Sequence, residues 1–108
     1  MNAKQQPLDV KLQNHTATCA IIGLGYVGLP LAMELARAGF RVMGIDIATA
    51  KIDALKKGIS YIIDVPSTEV KEYVAQGAFI PTTDFSVLRE ADTVNICVPT
   101  PLRKSKEP

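Results

Sequence analysis

The sequence predicts an α/β fold built on a parallel, doubly wound sheet, and three observations carry that expectation. Short β-branched apolar runs alternate with amphipathic stretches along the chain. The amphipathic stretches are closed by glycines, at Gly39, Gly58 and Gly77. Three of the seven glycines, Gly23, Gly25 and Gly28, crowd into "IIGLGYVGLP" directly after the first apolar run. Glycine weakens both helix and strand, so such a cluster needs a geometric reason.

Each element follows in order. Residues 1–16 are polar with one proline and read as a tail or a short helix around Leu8 to Asn14. "TCAIIG" is a buried strand. From Tyr26 to Ala38 the apolar residues Val27, Leu31, Leu35 and Ala38 recur at spacings of three and four, which predicts an amphipathic helix with Glu34 and Arg37 on the wet side. "RVMGID" is the second strand. Thr49 to Lys57 is the next helix, with Ile52 and Leu55 facing in. "ISYIIDVP" is irregular and apolar. Ser67 or Thr68 caps a helix through Gln76. "AFIPT" is the third strand, Thr83 or Asp84 caps a short helix ending near Ala91, and "DTVNICVP" is the fourth strand. The order β-α-β-α-α-β-α-β implies parallel pairing with right-handed crossovers.

Composition narrows the function classes. The 108 residues are enough for one small domain, and 47% of them are apolar. A net charge of +1 gives no electrostatic case for nucleic acid or an anionic membrane. The apolar runs are too short to span a bilayer. The opening "MNAKQQPLDVKLQNHT" has no apolar signal region and no small-residue cleavage site, so a cytoplasmic protein is expected. Cys19 and Cys97 each lie inside an apolar run and read as buried, reduced strand thiols. With no CxxC and a single histidine, His15, no metal site is expected.

The glycines have a reason if the turn holds a dinucleotide. In Gly-x-Gly-x-x-Gly between strand and helix, Gly23 permits the tight turn and Gly25 lets a pyrophosphate approach the backbone. Gly28 lets the helix lie close to the sheet. N–H groups near Tyr26 and Val27 then point at phosphate oxygens, and the helix dipole favours that charge. The string alone is weak evidence, but it stands here between a strand and an amphipathic helix, with an acid, Asp46, ending the second strand. That carboxylate is placed to accept from both ribose hydroxyls of an adenosine, at about 1.5–3 kcal/mol per hydrogen bond. A 2′-phosphate there would meet like charge, and Ile47 follows instead of an arginine, so NAD is favoured over NADP. Lys51, one turn into its helix, is placed to reach the ribose or Asp46; spacing alone leaves a solvated surface lysine equally open. Val98, Pro99 and Thr100, just past the fourth strand, are expected to border the cofactor cleft, because ligands bind outside the carboxyl ends of the strands. Arg103, Lys104 and Lys106 read as a solvated basic loop.

These residues resemble a known family. "GLGYVGLPLA" from Gly23 to Ala32, "GID" from Gly44 to Asp46, Lys51, "GISYI" from Gly58 to Ile62 and "CVPTPLRKSKEP" from Cys97 to Pro108 are similar to the N-terminal segment of the nucleotide-sugar 6-dehydrogenases. "TTDFSVLREADTVNICVPTP" and the tail after it look most like the branch acting on UDP-N-acetylglucosamine or its manno epimer. The resemblance covers nearly everything from Thr16 to Pro108. One departure follows "GISYI": relatives often place a carboxylate there, whereas this chain has Ile63 before Asp64.

The resemblance implies a Rossmann-type NAD-binding domain. It also implies an enzyme that oxidises the sugar C6 alcohol to a carboxylate in two hydride transfers. A cytoplasmic homo-oligomer supplying uronic acids for surface polysaccharide is implied as well. By position, Gly23, Gly25, Tyr26, Val27 and Gly28 match the pyrophosphate loop, Asp46 and Lys51 the ribose-binding pair, and Thr100 the threonine at the mouth of the cleft. The family's nucleophilic cysteine, with its lysine, asparagine and aspartate partners, lies in a later part of the chain that also carries the sugar-binding domain. A thiohemiacetal on that cysteine holds the aldehyde for the second oxidation. Neither Cys19 nor Cys97 matches it. Residues 17–108 are therefore expected to be an incomplete Rossmann domain of about four strands, a fragment with no catalytic residue of its own and inactive alone. Alternatives are a UDP-glucose or GDP-mannose 6-dehydrogenase, a β-hydroxyacid dehydrogenase with a similar first half, and a non-catalytic dinucleotide-binding module.

Overall fold

A computed structural model of the chain describes residues 6–97. Among the described residues, four strands pair in parallel: β1 (Thr18–Ile22), β2 (Arg41–Ile45), β3 (Phe79–Thr82) and β4 (Thr93–Ile96), in the spatial order β3-β2-β1-β4. The helices are α1 (Leu8–Gln13), α2 (Gly28–Arg37), α3 (Thr49–Lys56) and α4 (Ser67–Gln76), followed by a 3₁₀ helix over Phe85–Glu90. The chain winds outward from β1 through β2 to β3, then crosses back to place β4 on the other side of β1. The strand order thus reverses between β1 and β4, and a crevice opens there at the carboxyl ends of the strands.

Helices α2, α3 and α4 pack on one face of the sheet. Their core joins Leu29 and Met33 of α2, Ile52 and Leu55 of α3, and Ile21 and Phe79 of the sheet, each at most 1% exposed. The other face buries Ala20, Met43 and Ile45 under Val87, Leu88 and Ala91 of the 3₁₀ region. Glycines with positive φ end α2, α3 and α4 at Gly39, Gly58 and Gly77, as their positions require. Arg37 at the end of α2 pairs with Glu69 of α4.

The amino-terminal helix is tied to the sheet. Lys11 of α1 is 8% exposed, and its Nζ donates to Asp92 Oδ1 at 2.7 Å. Asp92 Oδ2 accepts from the Thr18 N–H at 2.8 Å. The hydrogen bond from Lys11, and then that from Thr18, hold the Asp92 carboxyl below the usual carboxylate range. One side chain therefore fastens α1, β1 and β4 together.

Several expectations need correction. Helix α2 begins at Gly28, not Tyr26, and buries Leu29, Ala32, Met33 and Ala36. Leu31 and Leu35 lie at the margin of that face, Ala38 is exposed, and Val27 is 65% exposed. That face mixes the large Leu29 and Met33 with the small Ala32 and Ala36, and Gly28 starts it against the turn after β1. Neither Ser67 nor Thr68 caps α4: Pro66 holds the cap position, and Ser67 Oγ instead accepts from the Ser60 N–H at 2.9 Å. Asp84 does cap the short helix, accepting from the Ser86 N–H, but that helix is 3₁₀. Cys19 is buried, whereas Cys97 is half-buried past the end of β4; both are free thiols. Among the described residues no helix is long and apolar enough to cross a membrane.

Candidate cofactor-binding site

The site grows out of the turn between β1 and α2. Gly23 continues the sheet by one bond, donating to the Ile45 carbonyl at 2.8 Å, and then turns with φ of 95°. A residue with a Cβ adopts that angle only under strain. Gly28 opens α2 directly against this turn. A Cβ there would lie 1.6 Å from the Gly23 carbonyl oxygen and 3.3 Å from the Cβ of Cys97, so only glycine lets the helix start so near β1 and β4. A Cβ on Gly25, by contrast, meets nothing within 4 Å and would project into open space.

The N–H groups of Gly25, Tyr26, Val27 and Gly28 have no acceptor among the described residues. These are the donors that a helix start leaves unpaired, together with the positive end of the helix dipole. An anion laid on the turn would satisfy them.

Asp46, one residue past β2, faces the same turn. Its Oδ2 accepts from the Leu24 N–H and its Oδ1 from the Ala48 N–H, both at 2.9 Å. A carboxylate has about four acceptor positions, so two remain for hydroxyl donors. Lys51 of α3 places its Nζ 5.6 Å from the centre of the Tyr61 ring. The Tyr61 hydroxyl donates to the Leu24 carbonyl. Burial, and then the Asp46 charge, push the Tyr61 phenol well above its ordinary range, so it stays protonated and able to donate.

These groups surround one cleft of 1070 Å³ at the carboxyl ends of β1, β2 and β4. Gly23, Gly25, Tyr26, Val27, Asp46 and Lys51 all line it, whereas Gly28 is buried and does not. Val98, Pro99 and Thr100 lie outside the described residues. Sequence reasoning missed Tyr61, Phe85, Ile96 and Cys97, which also line the cleft. Tyr61 belongs to "GISYI", an irregular run with no period to say which side chain turns inward. The cleft fits a dinucleotide: unpaired N–H donors at a helix start, bare backbone at Gly25, and a carboxylate with spare acceptors across the turn.

Comparison with known proteins decides the family. Residues 17–108 match the NAD binding domain of the UDP-glucose/GDP-mannose dehydrogenase family. The chain belongs to that family. The matched part is its NAD-binding domain, and its cofactor is NAD. UDP-N-acetyl-D-mannosamine dehydrogenase of Escherichia coli K12 is 36% identical over 92 residues, which are 85% of this chain and 21% of that protein. UDP-N-acetyl-D-glucosamine 6-dehydrogenase of Pseudomonas aeruginosa is 37% identical over 89 residues, 82% of this chain and 20% of that protein. The fold is also that of GDP-mannose dehydrogenase from Pseudomonas aeruginosa, solved as a ternary complex. The TM-score is 0.74 at 36% identity, over 80% of this chain and 20% of that one. The chain spans about a fifth of the length of the curated relatives it matches.

Proposed function

We propose that the whole protein carrying this domain oxidises the C6 alcohol of a UDP-N-acetylhexosamine to a carboxylate, with NAD as oxidant. The observation that carries the reading is the cleft itself: Gly25, the unpaired N–H groups and Asp46 converge at the switch between β1 and β4, in a chain of the nucleotide-sugar dehydrogenase family. NAD held there would supply the oxidising power, one hydride acceptor per oxidation, so taking a primary alcohol to a carboxylate would use two NAD and one water and release two NADH and three protons.

This chain's residues have binding and orienting roles in that reading. The N–H groups of Tyr26 and Val27 hold the pyrophosphate, and Gly25 keeps the approach open. Asp46 accepts from the adenosine ribose hydroxyls, with Lys51 beside it, and its negative charge disfavours a 2′-phosphate. The sugar and its catalytic cysteine belong to a further domain, so the 108-residue chain alone turns over no sugar. The relatives' names favour a UDP-N-acetylhexosamine, and the GDP-mannose dehydrogenase likeness keeps a hexose without the acetamide as the second reading.

The test is NADH formation by the whole protein, offered UDP-N-acetylglucosamine, UDP-N-acetylmannosamine, UDP-glucose and GDP-mannose in turn. Two NADH per sugar with one UDP-N-acetylhexosamine is expected. Turnover of only UDP-glucose or GDP-mannose would replace the substrate assignment. No turnover of any of them would overturn the 6-dehydrogenase reading.

A further inference from the structure

We propose that Tyr61 is a positioning residue for the cofactor: its hydroxyl sets the Leu24–Gly25 peptide of the phosphate-binding turn, and its ring seats Lys51 beside Asp46. The inference rests on the placement of pyrophosphate on the turn and ribose at Asp46.

Leu24 is the one residue between the first two glycines of the turn, and it is held from both sides. Its N–H donates to Asp46, and its carbonyl accepts from Tyr61. Its side chain is fully buried. The Leu24–Gly25 peptide is trans and planar, so its carbonyl and the Gly25 N–H point in opposite directions. Fixing the carbonyl on Tyr61 therefore fixes the direction of the Gly25 N–H, one of the donors left without an acceptor. A glycine on the far side of that peptide does little to restrain it. Without the Tyr61 hydroxyl the plane is free to rotate, and a phosphate would have to reorder it on binding.

The ring does a second job. The Lys51 ammonium lies 5.6 Å from the ring centre, within the reach of a cation–π contact. Lysine has a long side chain with much rotamer freedom to lose. Seating it on Tyr61 keeps its charge at the Asp46 end of the cleft before any ribose arrives.

Tyr61 is itself anchored. The Ser60 N–H donates to Ser67 Oγ at 2.9 Å, and Ser60 Oγ donates to the Ile62 carbonyl at 3.0 Å. Ile62 and Val65 sink into the core on either side of the exposed Ile63. The loop between α3 and α4 is therefore fixed to the domain by its own hydrogen bonds and its own apolar side chains. It carries Tyr61 to the turn as part of the wall, so the phenol meets Leu24 without a cofactor present.

The test is calorimetric titration of NAD into the unaltered protein, Tyr61→Phe, Tyr61→Leu, Lys51→Met and the two double variants. Tyr61→Phe keeps the ring and loses only the hydroxyl, and is expected to bind NAD roughly 3–10-fold more weakly, the loss of one hydrogen bond. Lys51→Met is expected to weaken binding by the same factor in the unaltered and Tyr61→Phe backgrounds. In the Tyr61→Leu background, where the seat is gone, its effect should shrink to less than about twofold, a coupling that a purely structural role would not produce. Thermal melts of each variant identify the folded species being titrated. If Tyr61→Phe binds NAD as tightly as the unaltered protein, the hydroxyl's role is overturned. If Lys51→Met costs as much in Tyr61→Leu as in the unaltered protein, the ring's role is overturned. If the unaltered protein itself does not bind NAD, the cofactor placement fails first, and the proposal with it.

Discussion

Gly28 and Gly23 touch so closely that a Cβ on Gly28 would lie 1.6 Å from the Gly23 carbonyl oxygen. The contact fixes where α2 begins, how it is rotated and how near it lies to β1. It also sets the unpaired N–H groups in the cleft. Replacing Gly28 with alanine must push the helix start away from the sheet. The expected outcome is a loss of about 3 kcal/mol or more of stability, the upper range for overpacking a tight contact, measured by urea denaturation.

Gly25 separates binding from folding. A Cβ there meets nothing within 4 Å, and its φ is not among the positive ones, so Gly25→Ala is expected to melt close to the unaltered protein. On the proposed reading, the new methyl group would occupy the space where a pyrophosphate nears the backbone. NAD affinity is expected to fall by about tenfold or more, read by calorimetry alongside the melt.

On the proposed reading Asp46 has a structural job and a binding job, and Asp46→Asn should reveal both. The carboxylate accepts from the N–H groups of Leu24 and Ala48, one on each oxygen. An asparagine has only one acceptor oxygen, so one of those donors loses its partner and faces an NH₂ group. A stability loss of about 1.5–3 kcal/mol is expected from the lost charged hydrogen bond. Removing the charge also removes the repulsion of a 2′-phosphate. The ratio of NADP to NAD dissociation constants should therefore fall by about tenfold, equivalent to about 1.4 kcal/mol.

Acid should loosen the amino-terminal helix. The Asp92 carboxyl is held below its ordinary range by Lys11 and then by the Thr18 N–H. A depressed carboxyl contributes stability that is fully present above its unfolded pKa, near 4. That stability is lost as pH falls through the lower folded value. Asp92→Asn should remove this part of the acid sensitivity. Unfolding free energies measured between neutral pH and acid should therefore fall less steeply for the variant than for the unaltered protein.

Much of this was legible from residue order alone. Strand positions, helix-stopping glycines and the glycine turn after β1 each have a local cause: β-branched runs, positive φ at Gly39, Gly58 and Gly77, and a close approach at Gly28. What failed was the rotation of α2. Its period is visible, but the same period fits two faces: one through Leu31 and Leu35, and the one actually buried, through Leu29, Ala32, Met33 and Ala36, which the contact of Gly28 with Gly23 selects. That preference belongs to the packed pair of elements and not to either alone. The cap expected for α4 does not form because Ser67 is drawn to Ser60 across the preceding loop. The role of Tyr61 is not legible in the sequence, because an irregular loop has no period from which to infer a direction, and its partner Leu24 is 37 residues away. Residue order marks Ile96 and Cys97 only as strand residues, since the switch between β1 and β4 exists only once the sheet is assembled.

The most direct test of the account is a crystal structure of the protein with NAD. The account predicts pyrophosphate oxygens within hydrogen-bonding distance of the Tyr26 and Val27 N–H groups, and the adenosine ribose hydroxyls on Asp46. A dinucleotide bound away from the β1–α2 turn, or with its adenosine ribose out of reach of Asp46, would contradict it.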